Sequence, residues 1–209
     1  MTPRASLAIV LAMMIGVAAG RSSAQTPPQK ITVESPALKN DQPMPKDFTP
    51  DGRNVSPPLT WSNAPAATRQ FAVILEDPDA GNPPPYVHWL IYKIPATAKG
   101  LPENVPIDPA AAMPAEIAGA VQGMNGFRRA IYRGPAPPPG NPHHYHFVVY
   151  ALDQALDLKP GLTRPELLQA MAGHVIGQGE IVPTYQRVGP PGGAPADPAG
   201  RGRGRGRGM

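Results

Sequence analysis

The spacing of apolar and polar residues changes period several times along the chain, and each change marks an element. Ile31-Thr32-Val33-Glu34 alternates every second residue, the pattern of a strand that buries one face. Phe71 to Leu75 is apolar without interruption, which suits a strand buried on both faces. Val87 to Ile94 and Tyr145 to Leu152 are two further runs, both rich in aromatic and β-branched residues. Between them stand Pro83-Pro84-Pro85 and Pro137-Pro138-Pro139-Gly140, which cannot extend a ladder because proline has no amide donor, so they read as turns or loops. The pattern predicts a mainly β chain of antiparallel sheets with a few short peripheral helices.

One helix is well marked. Thr163-Arg164-Pro165-Glu166 is a capping box with proline in the first turn, Leu167, Leu168 and Met171 form the apolar stripe, and Gly173 can close it. A weaker helical signal runs from Pro114 to Val121. From Gly189 onward Pro, Gly and Ala dominate with no apolar period, so residues 189–209 read as a disordered tail ending in an Arg-Gly repeat. At the other end, Arg4, the apolar run Leu7 to Ala19 and the small residues Ser22-Ser23-Ala24 read as a secretory signal cleaved after Ala24, since the run is shorter than the roughly 20 residues that span a bilayer. These boundaries predict a periplasmic or secreted protein whose single domain covers residues 25–188.

Charge and composition then narrow the chemistry. The chain has no Cys, so disulfides, a thiolate nucleophile and cysteine metal sites are excluded, as is a thiol to carry a lipid. The formal charge of +4 is carried by the ends: six of the 19 basic residues lie in the predicted signal or the terminal repeat, leaving thirteen against fifteen acidic residues and a net charge of −2 on residues 25–200. The body is therefore no basic nucleic-acid-binding surface. The Arg-Gly repeat lacks aromatics to stack on bases, so it suits contact with an anionic membrane surface, and nucleic acid is the less available partner for an exported chain.

Histidines and aspartates mark the candidate site. Alternation in a strand puts His143, Tyr145, Phe147 and Val149 on one face, and His144, His146, Val148 and Tyr150 on the other. The same parity sets His88 opposite Trp89, which leaves Trp89 to pack the core behind the site. Asp77 and Asp79 are two apart, and Pro78 biases Asp77 toward an extended conformation, so both carboxylates can face one cavity. His88, His143 and the Tyr145 hydroxyl supply donors, and backbone N–H groups near Gly134 and Gly140 add more, an arrangement suited to an oxyanion. The aspartates orient an imidazole, accept a proton from a singly protonated phosphate or meet an ammonium group, which favours a zwitterionic or protonated phosphate. Ser56 is followed by Pro57 and lacks the Gly-x-Ser-x-Gly elbow, so no activated nucleophile is visible.

Three motifs stand in order: Asp51-Gly52-Arg53-Asn54-Val55-Ser56-Pro57-Pro58-Leu59-Thr60-Trp61, then Asp77-Pro78-Asp79-Ala80 running to His88-Trp89, then Gly134-Pro135 running to His143-His144-Tyr145-His146-Phe147. From about Ile31 to Arg187 the chain resembles the phosphatidylethanolamine-binding protein family, in its bacterial Raf kinase inhibitor-like branch. The resemblance implies an antiparallel two-sheet fold, with Val175 to Val182 leading into Tyr185 as the closing strand. It also implies a ligand-binding set of Asp77, Asp79, Tyr86, His88, Gly134, Gly140, His143 and Tyr145, with Tyr86 at the aromatic rim. The role it implies is non-catalytic binding of a phosphate-bearing or other small anionic ligand, such as a phospholipid head group, in a shallow preformed pocket without a cofactor. Two other roles stay open. One is a kinase or protease inhibitor, of which export favours a protease partner; the other is a metal-dependent enzyme using His88, His143 and Asp77 or Asp79. Asp51, Gly52, Asn54 and Ser56 match the family pattern and read as a structural turn pinning the strand of Trp61, and His144 and His146 read as structural. Gly81 stands where relatives continue with Pro and Ala136 where they carry Cys, and both departures bear on ligand selectivity.

Overall fold

The computed structural model describes residues 27–188 apart from 82, 84 and 109; the predicted signal at 1–24 and the tail at 189–209 lie outside the described residues. The strands are β1 (Gln29–Lys30), β2 (Thr32–Glu34), β3 (Leu59–Ser62), β4 (Gln70–Asp77), β5 (Tyr86–Pro95), β6 (Gly100–Leu101), β7 (Val121–Gln122), β8 (His143–His144), β9 (His146–Leu152), β10 (Val175–Ile181) and β11 (Thr184–Tyr185). One α-helix, α1 (Arg164–Met171), joins β9 to β10. A six-stranded sheet has the order β1-β10-β9-β4-β5-β7, a three-stranded sheet the order β2-β3-β6, and β8 and β11 form a two-stranded ribbon. The fold is mainly β. Its pairs are antiparallel except at the sheet edge, where β1 runs parallel to β10 with Gln29 opposite Gly177. No tight turn joins those two strands, so nothing in the connection forces them to oppose.

The uninterrupted run in β4 is explained by cores on both of its faces. Phe71, Val73 and Leu75 point between the sheets toward Leu59, Trp61 and Phe147, all at most 5% exposed. Ala72 and Ile74 point the other way, toward Leu90, Tyr92, Leu167 and Met171. Each large apolar side chain buried this way contributes roughly 1.5–3 kcal/mol, and β4 draws on two layers at once.

The helix forms where its capping box stands. The Glu166 carboxylate accepts the Thr163 N–H at 2.8 Å, and Gly173 ends the helix at φ +84°. The Tyr92 hydroxyl donates to the Lys159 carbonyl at 2.7 Å and accepts the Leu162 N–H at 3.0 Å, which docks the approach to α1 onto β5. The helical signal at Pro114–Val121 resolves differently. Only a 3₁₀ turn forms at Ala115–Ile117, Gly119 turns the chain at φ +85°, and Val121 enters β7.

Candidate ligand-binding site

The site begins where one continuous strand changes partners. His143 and His144 pair with Tyr185 and Thr184 in the ribbon, whereas His146 onward pairs with β4, opening with His146 opposite Glu76. Tyr145 sits between the two ladders, its N–H held by the Pro183 carbonyl at 2.9 Å. Alternation survives the change of partner: Tyr145, Phe147 and Val149 enter the inter-sheet core, and the His143 ring stacks on Tyr145 at 6.4 Å between centroids.

His88 arrives from β5 through a bulge. Leu75 is opposite Trp89 but Glu76 is opposite Val87, so His88 is the extra residue. This corrects the expectation from parity that Trp89 lies opposite His88. Trp89 belongs to the inter-sheet cluster, and the His88 ring lies 5.4 Å from Tyr145 in that same cluster. Trp89 does pack the core, its Nε1–H donating to Gln122 at 2.6 Å.

Asp77 and His143 form a dyad. Nδ1 of His143 lies 2.8 Å from the Asp77 carboxylate, with side-chain exposures of 16% and 2%. The second Asp77 oxygen accepts the Asp79 N–H at 2.9 Å and holds the turn. The two aspartates do not face the same way: Asp77 turns inward to His143. Asp79 turns to the outer face of the strand, where its carboxylate accepts the His144 N–H and lies 2.8 Å from Nδ1 of the same residue. Those bonds hold its carboxyl below the usual carboxylate range.

The hydrogen bond made by His88 settles what its ring can offer. Nδ1 lies 3.0 Å from the Arg133 carbonyl, which can only accept, so Nδ1 carries a proton and a neutral ring presents Nε2 as a lone pair. Burial to 4% exposure pushes the imidazole pKa down, with the Arg133 carbonyl and the Asp77 charge pulling weakly the other way. The Tyr145 hydroxyl is fully buried and makes no well-formed hydrogen bond, although it faces the Asp77 carboxylate; burial first, then Asp77, raises its pKa.

The aromatic rim holds more than Tyr86. Tyr86 meets His88 edge-on at 5.5 Å and Phe127 at 5.1 Å, and Phe127 lies 5.9 Å from His88. Buried Asn125 shapes that loop: its side-chain oxygen accepts the N–H groups of Phe127 and Arg129 at 2.9 and 3.1 Å, and its amide donates to the Ile131 carbonyl at 3.0 Å. Gly126 is required there because a Cβ would come within 2.6 Å of the Tyr86 ring. Arg133 covers Phe127, its guanidinium carbon 4.2 Å from the ring centroid. Phe127 and Arg133 were not legible as site residues. The available signals were an aromatic after Asn125-Gly126 and a cation directly before Gly134-Pro135.

Of the two glycines whose turns are expected to donate backbone N–H groups, Gly134 has its amide engaged and Gly140 is exposed. Gly134 N–H donates to the Asn54 side chain at 3.0 Å, and a Cβ there would come within 1.9 Å of the Phe48 carbonyl oxygen, so Gly134 serves close packing. Gly140 is exposed, its carbonyl accepting from Gln186 at 2.6 Å. The motif at Asp51 is a structural turn that pins other partners than Trp61. Asp51 accepts from the Tyr185 hydroxyl and from Arg187, and the buried Ser56 hydroxyl accepts the Val105 N–H at 2.9 Å. Among the described residues no three His, Cys, Asp or Glu side chains gather as a metal-binding set: His143 and Asp77 meet through Nδ1, while Nδ1 of His88 faces the Arg133 carbonyl.

The fold is mainly β, and it groups an acid–imidazole dyad and a second histidine about Tyr145 at one end of its larger sheet. A model of the phosphatidylethanolamine-binding protein family matches residues 34–186, and the chain belongs to that family. A Methanothermobacter thermautotrophicus relative named UPF0098 protein is 44% identical over 144 residues, 69% of this chain and 91% of the relative. A Mycobacterium tuberculosis relative named as a candidate lipoprotein, LppC, is 33% identical over 206 residues, 88% of this chain and 96% of the relative. The crystal structure of E. coli YbcL, described as a new member of the mammalian family, is similar at a TM-score of 0.69 and 33% identity, covering 75% of this chain and 98% of YbcL.

Proposed function

We propose that this protein binds a small phosphorylated head group, or an oxyanion of similar shape, without turning it over. One observation carries the reading: Tyr145 brings His88 and His143 together, with ring centroids at 5.4 and 6.4 Å from its own. The ligand is held between Asp77–His143 on one side and His88 with Tyr86 on the other. Because a neutral His88 presents a lone pair, the ligand brings the proton, as a singly protonated phosphate or an ammonium group does. Ser56 does not act as a nucleophile in this reading, being 1% exposed and committed to a backbone amide. The amino-terminal apolar run and a relative named as a candidate lipoprotein support an encounter in the cell envelope.

Isothermal titration with phosphoethanolamine and with inorganic phosphate tests the proposal. Binding that weakens at least about tenfold in both His88→Ala and His143→Ala, about 1.4 kcal/mol each, is the expected result. Binding unchanged in both variants defeats it.

A further inference from the structure

We propose that Arg133 is the cation that recognises the anionic oxygens of the ligand, with Phe127 as the platform that holds it in waiting. This rests on the binding function proposed above. The site as built is short of positive charge: Asp77 is an acid, His143 is turned to it, and His88 spends its proton on a carbonyl. An oxyanion placed there needs a counter-charge.

Arg133 is positioned to supply it. Its backbone is locked to His88, donating its N–H to the His88 carbonyl at 3.3 Å while its own carbonyl accepts from the His88 ring. The guanidinium therefore cannot drift far from the site. Arg53, Arg164 and Arg187 each have a carboxylate partner, and among the described residues Arg133 has none. Its Nε is buried without any acceptor, and the Tyr145 hydroxyl is buried beside the Asp77 carboxylate without a well-formed hydrogen bond. An unsatisfied buried donor is costly, and an oxyanion would complete both groups. A phosphate group does so. Its anionic oxygens accept from Arg133 and Tyr145, and the donor to Nε2 of His88 is the P–OH of inorganic phosphate or a monoester, or the ammonium group of a diester head group.

The stacking on Phe127 holds the guanidinium over one ring before the ligand arrives, which lowers the rotamer cost on binding. Arginine is the residue suited to this place, because a planar fork both stacks on a ring and grips two oxygens.

The experiment is titration of the wild type, Arg133→Gln, Arg133→Lys, Phe127→Leu and His88→Ala with three probes: inorganic phosphate, glycerophosphoethanolamine and short-chain phosphatidylethanolamine. Circular dichroism of each variant checks that it folds. Arg133→Gln weakens all three probes by about tenfold to a hundredfold, Arg133→Lys recovers part of the loss, and Phe127→Leu falls between. The salt dependence of affinity also flattens in Arg133→Gln, which a purely structural role would not produce. Tighter binding of the lipid than of inorganic phosphate assigns the head group, and the reverse assigns free phosphate; either agrees with the proposal. If the wild type binds and His88→Ala does not, while Arg133→Gln binds like the wild type, the assignment of Arg133 is overturned and the site stands. If the wild type binds none of the probes, the site and Arg133 fall together.

Discussion

The two faces of the strand from His143 to His146 carry nearly the same chemistry with different consequences. On the inner face Nδ1 of His143 meets Asp77 at 2.8 Å; on the outer face His144 meets Asp79 at 2.8 Å and His146 meets Glu180 at 2.9 Å. Distance does not separate them. Burial does: the inner carboxylate is 2% exposed, whereas Asp79 and Glu180 are 42% and 46% exposed. An exposed pair exchanges one set of water contacts for another and is screened, while the inner carboxylate, if it loses His143, has little water to fall back on. A histidine–carboxylate contact identifies a site only together with its surroundings.

The comparison breaks most readily at Asp77. Asp77→Ala should lower stability by about 2–4 kcal/mol, because it strips the partner from a half-buried imidazole and an acceptor from the turn at Asp79. Asp79→Ala should lose no more than about 1 kcal/mol. Urea denaturation of the two variants side by side checks this, and equal losses would erase the distinction between the faces.

Next in size is the effect of acid. Burial holds His88 below its ordinary pKa near 6.5, so the unfolded chain binds a proton before the native protein does. Unfolded protein therefore carries the greater proton load in the window running down from about pH 6.5, and stability rises with pH across it, by up to about 1.4 kcal/mol per unit for one proton. Above that window the contribution of neutral His88 is complete. Denaturation midpoints at pH 7.5, 6.5 and 5.5 should fall in that order, and His88→Gln should shallow the slope; an unchanged slope would place the acid sensitivity elsewhere.

Tyr145→Phe sharpens the contrast with a change of opposite sign. Removing a buried hydroxyl that lacks a partner should leave stability unchanged or raise it by up to about 1 kcal/mol, while phosphoethanolamine affinity falls. A loss of stability beyond that range would mean that the hydroxyl is satisfied in the unliganded protein. The smallest effect belongs to the outer face. Glu180→Ala should cost under about 0.5 kcal/mol and leave ligand affinity intact, measured in the same two assays.

Legibility in the sequence followed the range of the interactions. The strands at Phe71 and Tyr145 and the capped helix at Thr163 were readable because periodicity and capping act within a few residues. Motif order put His88, His143, Tyr86 and Asp77 in one candidate set, and the structure brings their side chains together. Phe127 and Arg133 were not, because a loop held by Asn125 delivers Phe127, and Arg133 matters only through the ring it covers. Gly134 misled for a related reason. Its glycine suggested a free amide, whereas the requirement is space beside Phe48, with the amide already given to Asn54.

From its residues alone this chain determined its mainly β character, its one capped helix and the parity that separates His143 from His144, since each follows from steric and hydrogen-bonding rules local to a segment. Tertiary structure alone decided which aspartate meets which histidine, how a bulge turns His88 toward Tyr145, and where a stacked guanidinium comes to rest. Those outcomes depend on contacts between residues far apart in sequence. Burial, which sets the worth of every charge in the site, exists only once the sheets have closed on each other.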